Sequence, residues 1–200
     1  MRTLTVKVPE DLLARLDAVS KRKAVGRSSL VRKALQQTKL SDAIQAVVGG
    51  VRAIGFNFIL GQDFGAVNVE ATATQHRLHY ISTHYAHANH YEAPDQLRFE
   101  GNPAGTACSL VKGGRLQQRL DEAAGRIDLD VCQDVLRDHA NYPGSVCIHE
   151  DPPAGRRDSH TQAALIYVPA ERLMLASDGP PCENPYAEYR LQPATEPITV

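Results

Sequence analysis

Residues 56–72 read FNFILGQDFGAVNVEAT and hold two runs of apolar and β-branched residues on either side of a short polar segment. Each run has the length and the alternation of a strand. The residues between them, Gln62-Asp63-Phe64-Gly65, are typical of a turn. This stretch therefore predicts a strand–turn–strand hairpin.

Helical and strand patterns continue on both sides of the hairpin. Residues 40–50, LSDAIQAVVGG, predict a helix that two glycines end. The tail from Gly179 is rich in proline, so we expect it to be irregular. The other predicted elements are a strand over 77–85, a loop over 95–105, helices over 113–125 and 130–139, and strands over 159–168 and 172–177 joined at Pro169-Ala170.

The first forty residues form a separate pattern. Residues 3–8, TLTVKV, alternate polar and apolar side chains as a half-buried strand does. Pro9 and two following acids suit the first turn of a helix, and Gly26 ends that helix. Ser28 or Ser29 is a good cap for a second helix. A strand and two helices of this size cannot bury a core alone, so this segment needs a partner.

The charge of the chain is unevenly distributed. The formal net charge is −1, but residues 1–40 carry ten basic and three acidic residues and are +7. The remaining 160 residues carry twelve basic and twenty acidic residues and are −8. A basic segment beside an acidic body favours contact with a polyanion, although a solvated helix face with surplus lysines is the plainer alternative.

The run RTLTVKVPEDLLARLDAVSKRKAVGRSSLVRKALQ, which starts at Arg2, resembles the ribbon-helix-helix family of bacterial DNA-binding repressors and antitoxins. The resemblance implies a homodimer through the N-terminal strand and helices. It also implies that the paired strands lie in the major groove of double-stranded DNA, which is wide enough to admit them.

In such a ribbon, Thr3, Thr5 and Lys7 share the strand face that would meet base edges, where hydroxyl and ammonium groups hydrogen-bond. The alternative is an ordinary exposed strand face. Free N–H groups at the start of the second helix make a phosphate site. The residues expected near phosphates are Arg2, Arg27, Ser28 and Ser29.

The body of the chain carries a second resemblance. Four segments, FNFILGQDFGAVNVEAT, HYAHANHY, DHANYPGSVCIHED and ALIYVPAERLMLASDGPPCENPY, resemble in order the C-terminal half of the acyl-coenzyme A:6-aminopenicillanic-acid acyltransferase family of N-terminal-nucleophile hydrolases. The resemblance runs from about residue 31 or 40 to about residue 189. It implies half of a four-layer αββα sandwich, and alternating strand pairs and helices fit that arrangement independently.

This second resemblance also implies a chemistry. The family uses a chain-terminal cysteine, freed by self-cleavage, as its nucleophile. Asn89 matches the asparagine that stabilises the oxyanion, and Arg156 or Arg157 is our candidate for an arginine of the site. The family's first half, which carries the nucleophile, has no counterpart here, because the basic segment stands in its place.

The cysteines and histidines of the sequence predict no metal site and no cofactor. His84, His87 and His90 are spaced by three, which on a strand puts His87 on the opposite face. Two acid–base pairs remain possible, Asp138-His139 and His149-Glu150-Asp151. The four cysteines show no CxxC spacing and are expected to be structural free thiols: Cys108, Cys132, Cys147 and Cys182.

Neither a membrane nor a secreted location is predicted. No apolar run approaches the roughly 20 residues that a membrane span needs. The N-terminus lacks the apolar region of a signal peptide. Free thiols then favour the reducing cytoplasm.

Together these patterns predict an α+β protein with a ribbon-helix-helix arm over 1–40, a partial αββα acyltransferase-like domain over 41–178, and a proline-rich tail over 179–200. The favoured function is a dimeric DNA-binding regulator with a catalytically incomplete acyltransferase-like domain. The alternative is an acyltransferase or amidohydrolase that binds a small acyl-amide or acyl-CoA and is active only with a supplied N-terminal half. A third possibility is the fusion of two gene fragments.

The ribbon hypothesis makes a direct prediction. Lys7→Ala should weaken specific DNA binding by roughly 1–3 kcal/mol, because it removes a contact to a base edge. Electrophoretic mobility shift with promoter DNA at several salt concentrations measures this loss. If a Thr5→Ala/Lys7→Ala double variant retarded the same DNA as strongly as the parent chain, the ribbon assignment would be wrong.

Overall fold

The computed structural model describes residues 33–34, 37, 39–50, 52, 54–62, 64–101, 103–150 and 160–190. These residues fall into two compact units. The first contains the described residues up to Ser82 together with Arg190, and the second contains Thr83–Tyr189. Both units combine helices with an antiparallel strand pair, so the predicted α+β class is confirmed for the described part of the chain.

The first unit is built on the predicted hairpin. Strands β1 (Phe56–Gln62) and β2 (Gly65–Ala71) pair antiparallel, and β3 (His76–Ile81) pairs antiparallel with the other edge of β2. Helix α1 (Leu40–Val48) packs against this three-stranded sheet. The core between them consists of Ala34, Leu40, Val47, Phe58, Val67 and Val69.

Both ends of α1 are satisfied by side chains from elsewhere in the unit. The backbone N–H of Leu40 donates to Oε1 of Gln62 at 2.9 Å, which pairs one of the free donors of the first turn. At the other end the buried guanidinium of Arg52 donates to the carbonyl of Thr72 at 2.9 Å. A cation at the C-terminus also complements the helix dipole. The same guanidinium donates to the carbonyls of Val47, Val48 and Gly50.

The second unit contains two helices and a second sheet. The sheet has the strand order β4 (Ala163–Val168), β5 (Leu173–Asp178) and β6 (Tyr186–Arg190), and β4 and β5 pair antiparallel. Helix α3 (Leu129–Leu136) packs on this sheet, and helix α2 (Pro103–Glu122) contacts α3. The sheet and α3 meet at Ile166, Leu173, Leu175, Leu129, Cys132 and Leu136. Single turns of 3-10 helix occur at Leu97–Phe99 and Pro169–Glu171.

Several predicted boundaries differ from the structure; for example, α3 ends at Leu136 instead of residue 139, and β4 begins at Ala163 instead of residue 159. Helix α2 begins at Pro103, ten residues before the predicted start, because proline suits a first helical turn even where glycines follow. The strand predicted over 77–85 ends at Ile81, and an irregular segment follows. The tail that was predicted to be irregular contains β6, whose Tyr-Ala-Glu-Tyr-Arg sequence keeps a strand alternation after the prolines.

Several predicted functional residues lie outside the described residues. These are all the proposed DNA contacts, Arg2, Thr3, Thr5, Lys7, Arg27, Ser28 and Ser29, and both candidate arginines, Arg156 and Arg157. Within the described part, no helix has the length and apolar character that a membrane crossing requires.

The first core supplies a stability prediction. Val69 is fully buried in the central strand, so Val69→Ala should lower the free energy of unfolding by about 2 kcal/mol through lost burial and a small cavity. Urea unfolding measures this change. Val111→Ala is the control, because Val111 is about half exposed and should cost far less. Equal urea midpoints for the two variants would contradict the assignment of Val69 to the core.

Candidate functional site

One face of α2 holds the segment 84–90, which contains Asn89. Residues at every fourth position of the helix lie on this face. His84 donates from Nε2 to Oδ1 of Asp121 at 2.7 Å, and the N–H of Ala86 donates to Oε1 of Gln117 at 3.0 Å. The face consists of Ser109, Gly113, Gln117 and Asp121.

Asn89 sits where the segment comes closest to α2. Its backbone N–H donates to Oγ of Ser109 at 2.6 Å, and the same hydroxyl lies 2.9 Å from Nδ1 of the buried His90. Gly113 lies next to this contact, where a Cβ would meet Cε1 of His90 at 3.4 Å and Cβ of Ala88 at 3.5 Å, which are ordinary van der Waals distances. The side chain of Asn89 is exposed. The backbone of Asn89 is therefore held in place while its side-chain amide is exposed to solvent.

Arginines on the other side of α2 hold the segment that follows α3. Arg115 donates from Nε and Nη2 to Oδ2 of Asp138 at 2.9 and 2.6 Å. Arg119, one turn further along, pairs with Asp134 of α3. Asp138 also accepts from the N–H of Ala140 at 2.9 Å through its second oxygen. These contacts position the irregular segment that begins at His139.

That segment and a later turn bring two histidines and two cysteines together. We call this group the His–Cys cluster; it consists of His139, Cys147, His149 and Cys182, and one ligand atom from each lies within 4.8 Å of all the others. Nε2 of His149 is 3.0 Å from Nε2 of His139, 3.5 Å from Sγ of Cys147 and 3.3 Å from Sγ of Cys182. The two sulfurs are 3.6 Å apart, and both are free thiols.

Local backbone structure places Cys182 in the His–Cys cluster. Gly179 ends β5 with φ +106°, a conformation that glycine adopts without strain. Its N–H donates to the carbonyl of Gln162, and Asn184 closes the next turn on the carbonyl of Pro180. Arg137, just after α3, donates to the carbonyl of Pro181 at 2.9 Å. Cys182 is thus tied both to the sheet and to the end of α3.

The environments of two thiols make them weak nucleophiles. Burial, together with the hydrogen bond to Cys182, raises the pKa of Cys147 to about 11. Burial and the nearby charge of Asp128 raise the pKa of Cys132 as well. The thiolate is the reactive form of cysteine, so neither residue has the acidity of a nucleophilic thiol. Cys108 is half-buried, with its sulfur 3.8 Å from the carbonyl of Gly144.

The histidines at 84, 87 and 90 do not share a site. His84 pairs with Asp121, His90 lies against Ser109, and the rings of His87 and His90 stack at 6.2 Å. The acid–base pairs that the sequence suggested are also separated, because Asp138 binds Arg115 while His139 and His149 join the His–Cys cluster. Sequence reasoning missed this cluster, since its members follow no regular spacing.

The family of the chain follows from a comparison of sequences. The profile of the acyl-coenzyme A:6-aminopenicillanic acid acyl-transferase family matches residues 16–169. The match covers most of the chain, which therefore belongs to this family. The family of the second resemblance is confirmed, but the match begins further towards the N-terminus than expected and ends at residue 169, about twenty residues before the expected end. No match supports the ribbon-helix-helix resemblance, and no curated protein matches the chain significantly.

The contact between His84 and α2 can be tested by titration. The hydrogen bond from His84 lowers the pKa of Asp121, and a second from Gln117 lowers it further. His84→Ala, which removes the donor, should therefore raise the pKa of Asp121 towards the ordinary value of about 3.9. Because the folded-state pKa is the lower one, the contact stabilises the fold above about pH 4 and is lost as the pH falls through the folded value.

Carboxyl ¹³C NMR of the full chain follows the titration of Asp121. Asp95→Asn, remote in sequence from this contact, is a control that should leave the Asp121 titration unchanged. An Asp121 pKa that stays the same in His84→Ala would show that this contact does not form in solution.

Proposed function

We propose that this chain takes part in acyl transfer, or in hydrolysis of an acyl amide, as the part of the site that stabilises the oxyanion and binds the acyl substrate. The family match over residues 16–169 is the observation that carries the proposal. The position of Asn89, exposed on a backbone that Ser109 holds, supports it. Half of a four-layer αββα sandwich is the corresponding fold.

The amide of Asn89 suits the oxyanion role for a physical reason. A donor stabilises developing negative charge most when it is held in place before the reaction, because no reorganisation is then needed. The hydroxyl of Ser109 holds the backbone of the residue by accepting its N–H. The side chain itself is left available to a substrate carbonyl. Arg156 or Arg157 remains our proposal for an arginine of the same site.

The nucleophile in this proposal is a cysteine thiolate supplied by a polypeptide segment outside residues 1–200. This agrees with the resemblance, which aligns the chain with the family's C-terminal half. The alternative within the chain is Cys182, which is exposed and lies 3.3 Å from Nε2 of His149. Activity of the chain alone would favour that alternative.

DNA binding is a second candidate function. Its specific support is the charge of +7 over residues 1–40 and the strand–helix–helix pattern there. The acyltransferase-family match begins at residue 16, so it includes most of the same segment. We therefore rank DNA binding, and the homodimer that it requires, below acyl transfer.

Enzyme assays with Asn89→Ala test the acyl-transfer proposal. The full chain is co-expressed with the cysteine-bearing half of an acyltransferase of this family and incubated with an acyl-CoA and 6-aminopenicillanic acid. Chromatography of released coenzyme A and acylated product should show turnover. Asn89→Ala should lower kcat by about 10²–10³-fold, the usual cost of one oxyanion donor.

Gln118→Ala is the control, because it removes an exposed amide from the outer surface of α2. It should leave turnover unchanged. Product formation that is equal in the Asn89→Ala and parent samples would exclude the oxyanion role. A lack of turnover in every combination with acyl-CoA and acyl-amide substrates would overturn the proposed function.

A further inference from the structure

The His–Cys cluster has a geometry that hydrogen bonding does not account for. Nε2 of His149 has three neighbours within 3.5 Å: Nε2 of His139 and the sulfurs of Cys147 and Cys182. A ring nitrogen carries one proton or one lone pair, which points in a single direction in the ring plane. It can therefore make one good hydrogen bond, but not three. Four donor atoms that converge on one point are typical of a metal site.

From this geometry we infer that His139, Cys147, His149 and Cys182 bind one Zn²⁺ ion in a tetrahedral, structural site. Zinc prefers this ligand set, with bonds of about 2.3 Å to sulfur and about 2.0–2.1 Å to nitrogen. A tetrahedron with such bonds has S···S, S···N and N···N separations of about 3.8, 3.5 and 3.3 Å.

Four of the six separations in the structure are close to these values. The two sulfurs are 3.6 Å apart, His149 lies 3.5 and 3.3 Å from them, and the two histidine nitrogens are 3.0 Å apart. The remaining separations, from His139 to each cysteine, are within 4.8 Å. His139 and Cys182 are the exposed members of the cluster.

The surroundings of His149 also suit a metal ligand. Its second nitrogen, Nδ1, is 3.2 Å from Oε1 of Glu183. A metal-bound histidine usually donates its other N–H to a carboxylate, which fixes the tautomer and aims the free nitrogen at the ion. Cys147 is held in place by hydrogen bonds of its backbone. Its N–H donates to the carbonyl of Asp138, and its own carbonyl accepts from the hydroxyl of Ser145.

Four protein ligands leave no open position on the ion, so the site is structural rather than catalytic. It joins the segment 139–149 to the turn that carries Cys182. The two softest ligands are thiols, which favour zinc over the harder cations magnesium and calcium. The inference rests on these four residues alone and does not depend on acyl transfer.

Metal analysis of the full chain tests the site. The protein is stripped with a chelator, supplied with Zn²⁺ under reducing conditions and desalted. Mass spectrometry of the metal should then find about one zinc per chain. Cys182→Ser should weaken zinc binding at least about 100-fold, because it removes one of four ligands.

Cys132→Ser is the matched control, because Cys132 is a half-buried thiol outside the cluster and should keep full zinc content. Cys182 is exposed, so its replacement is compatible with folding, which circular dichroism checks. Fewer than about 0.1 zinc per chain in the parent protein, or equal zinc in Cys182→Ser and Cys132→Ser, would overturn the inference.

Replacing Zn²⁺ by Co²⁺ distinguishes residues that bind the metal from residues that only lie near it. The Co²⁺ form of the parent chain should show the visible bands of a tetrahedral site and strong thiolate-to-cobalt charge transfer. Glu183→Gln should keep that spectrum and weaken binding about 10–100-fold, the usual effect of losing the partner of a ligand histidine. A spectrum without thiolate charge transfer, or a Cys147–Cys182 disulfide in the zinc-supplied reduced protein, would refute the site.

Discussion

Asp138 joins α2 to the segment after α3, beside the pair of Arg119 and Asp134 that joins α2 to α3. Its carboxylate accepts two hydrogen bonds from Arg115 of α2, and its backbone carbonyl accepts the N–H of Cys147. Burial alone would raise the pKa of Asp138, but the hydrogen bonds from Arg115 and Ala140 outweigh burial and lower it. An ionised, largely buried carboxylate with all these partners is costly to displace, so the backbone that carries His139 and Cys147 has a defined position.

The same helix therefore holds two separate groups of residues, each the subject of a proposal above. Through Ser109 it holds Asn89, the residue proposed to stabilise the oxyanion. Through Arg115 it holds the segment that supplies three members of the His–Cys cluster. The first site needs an exposed amide on a rigid backbone, whereas the second needs converging side chains. A long helix with different contacts on different faces satisfies both needs.

Local patterns in the sequence predicted the hairpin of β1 and β2 and the helix α1, because alternation and glycine signals act over a few residues. The first half of α2 was missed because Pro103 and Gly105 are typical of a loop. Asn89 came from the family resemblance, and its fixed backbone could not have been predicted. The His–Cys cluster depends on Cys182 meeting a segment more than thirty residues earlier, and no local signal encodes such a meeting.

The contacts between segment 84–90 and α2 also pair particular residues of an irregular segment with particular residues of a helix. Four helical residues rise about 6 Å, and two residues of nearly extended chain cover about the same distance. Alternate residues of the segment, from His84 to His90, therefore meet successive turns of the helix from Asp121 to Ser109. Asn89 falls between two such residues and so faces outward. Insertion or deletion of a single residue in the segment would turn that amide towards the helix, so its length is under stricter constraint than its composition.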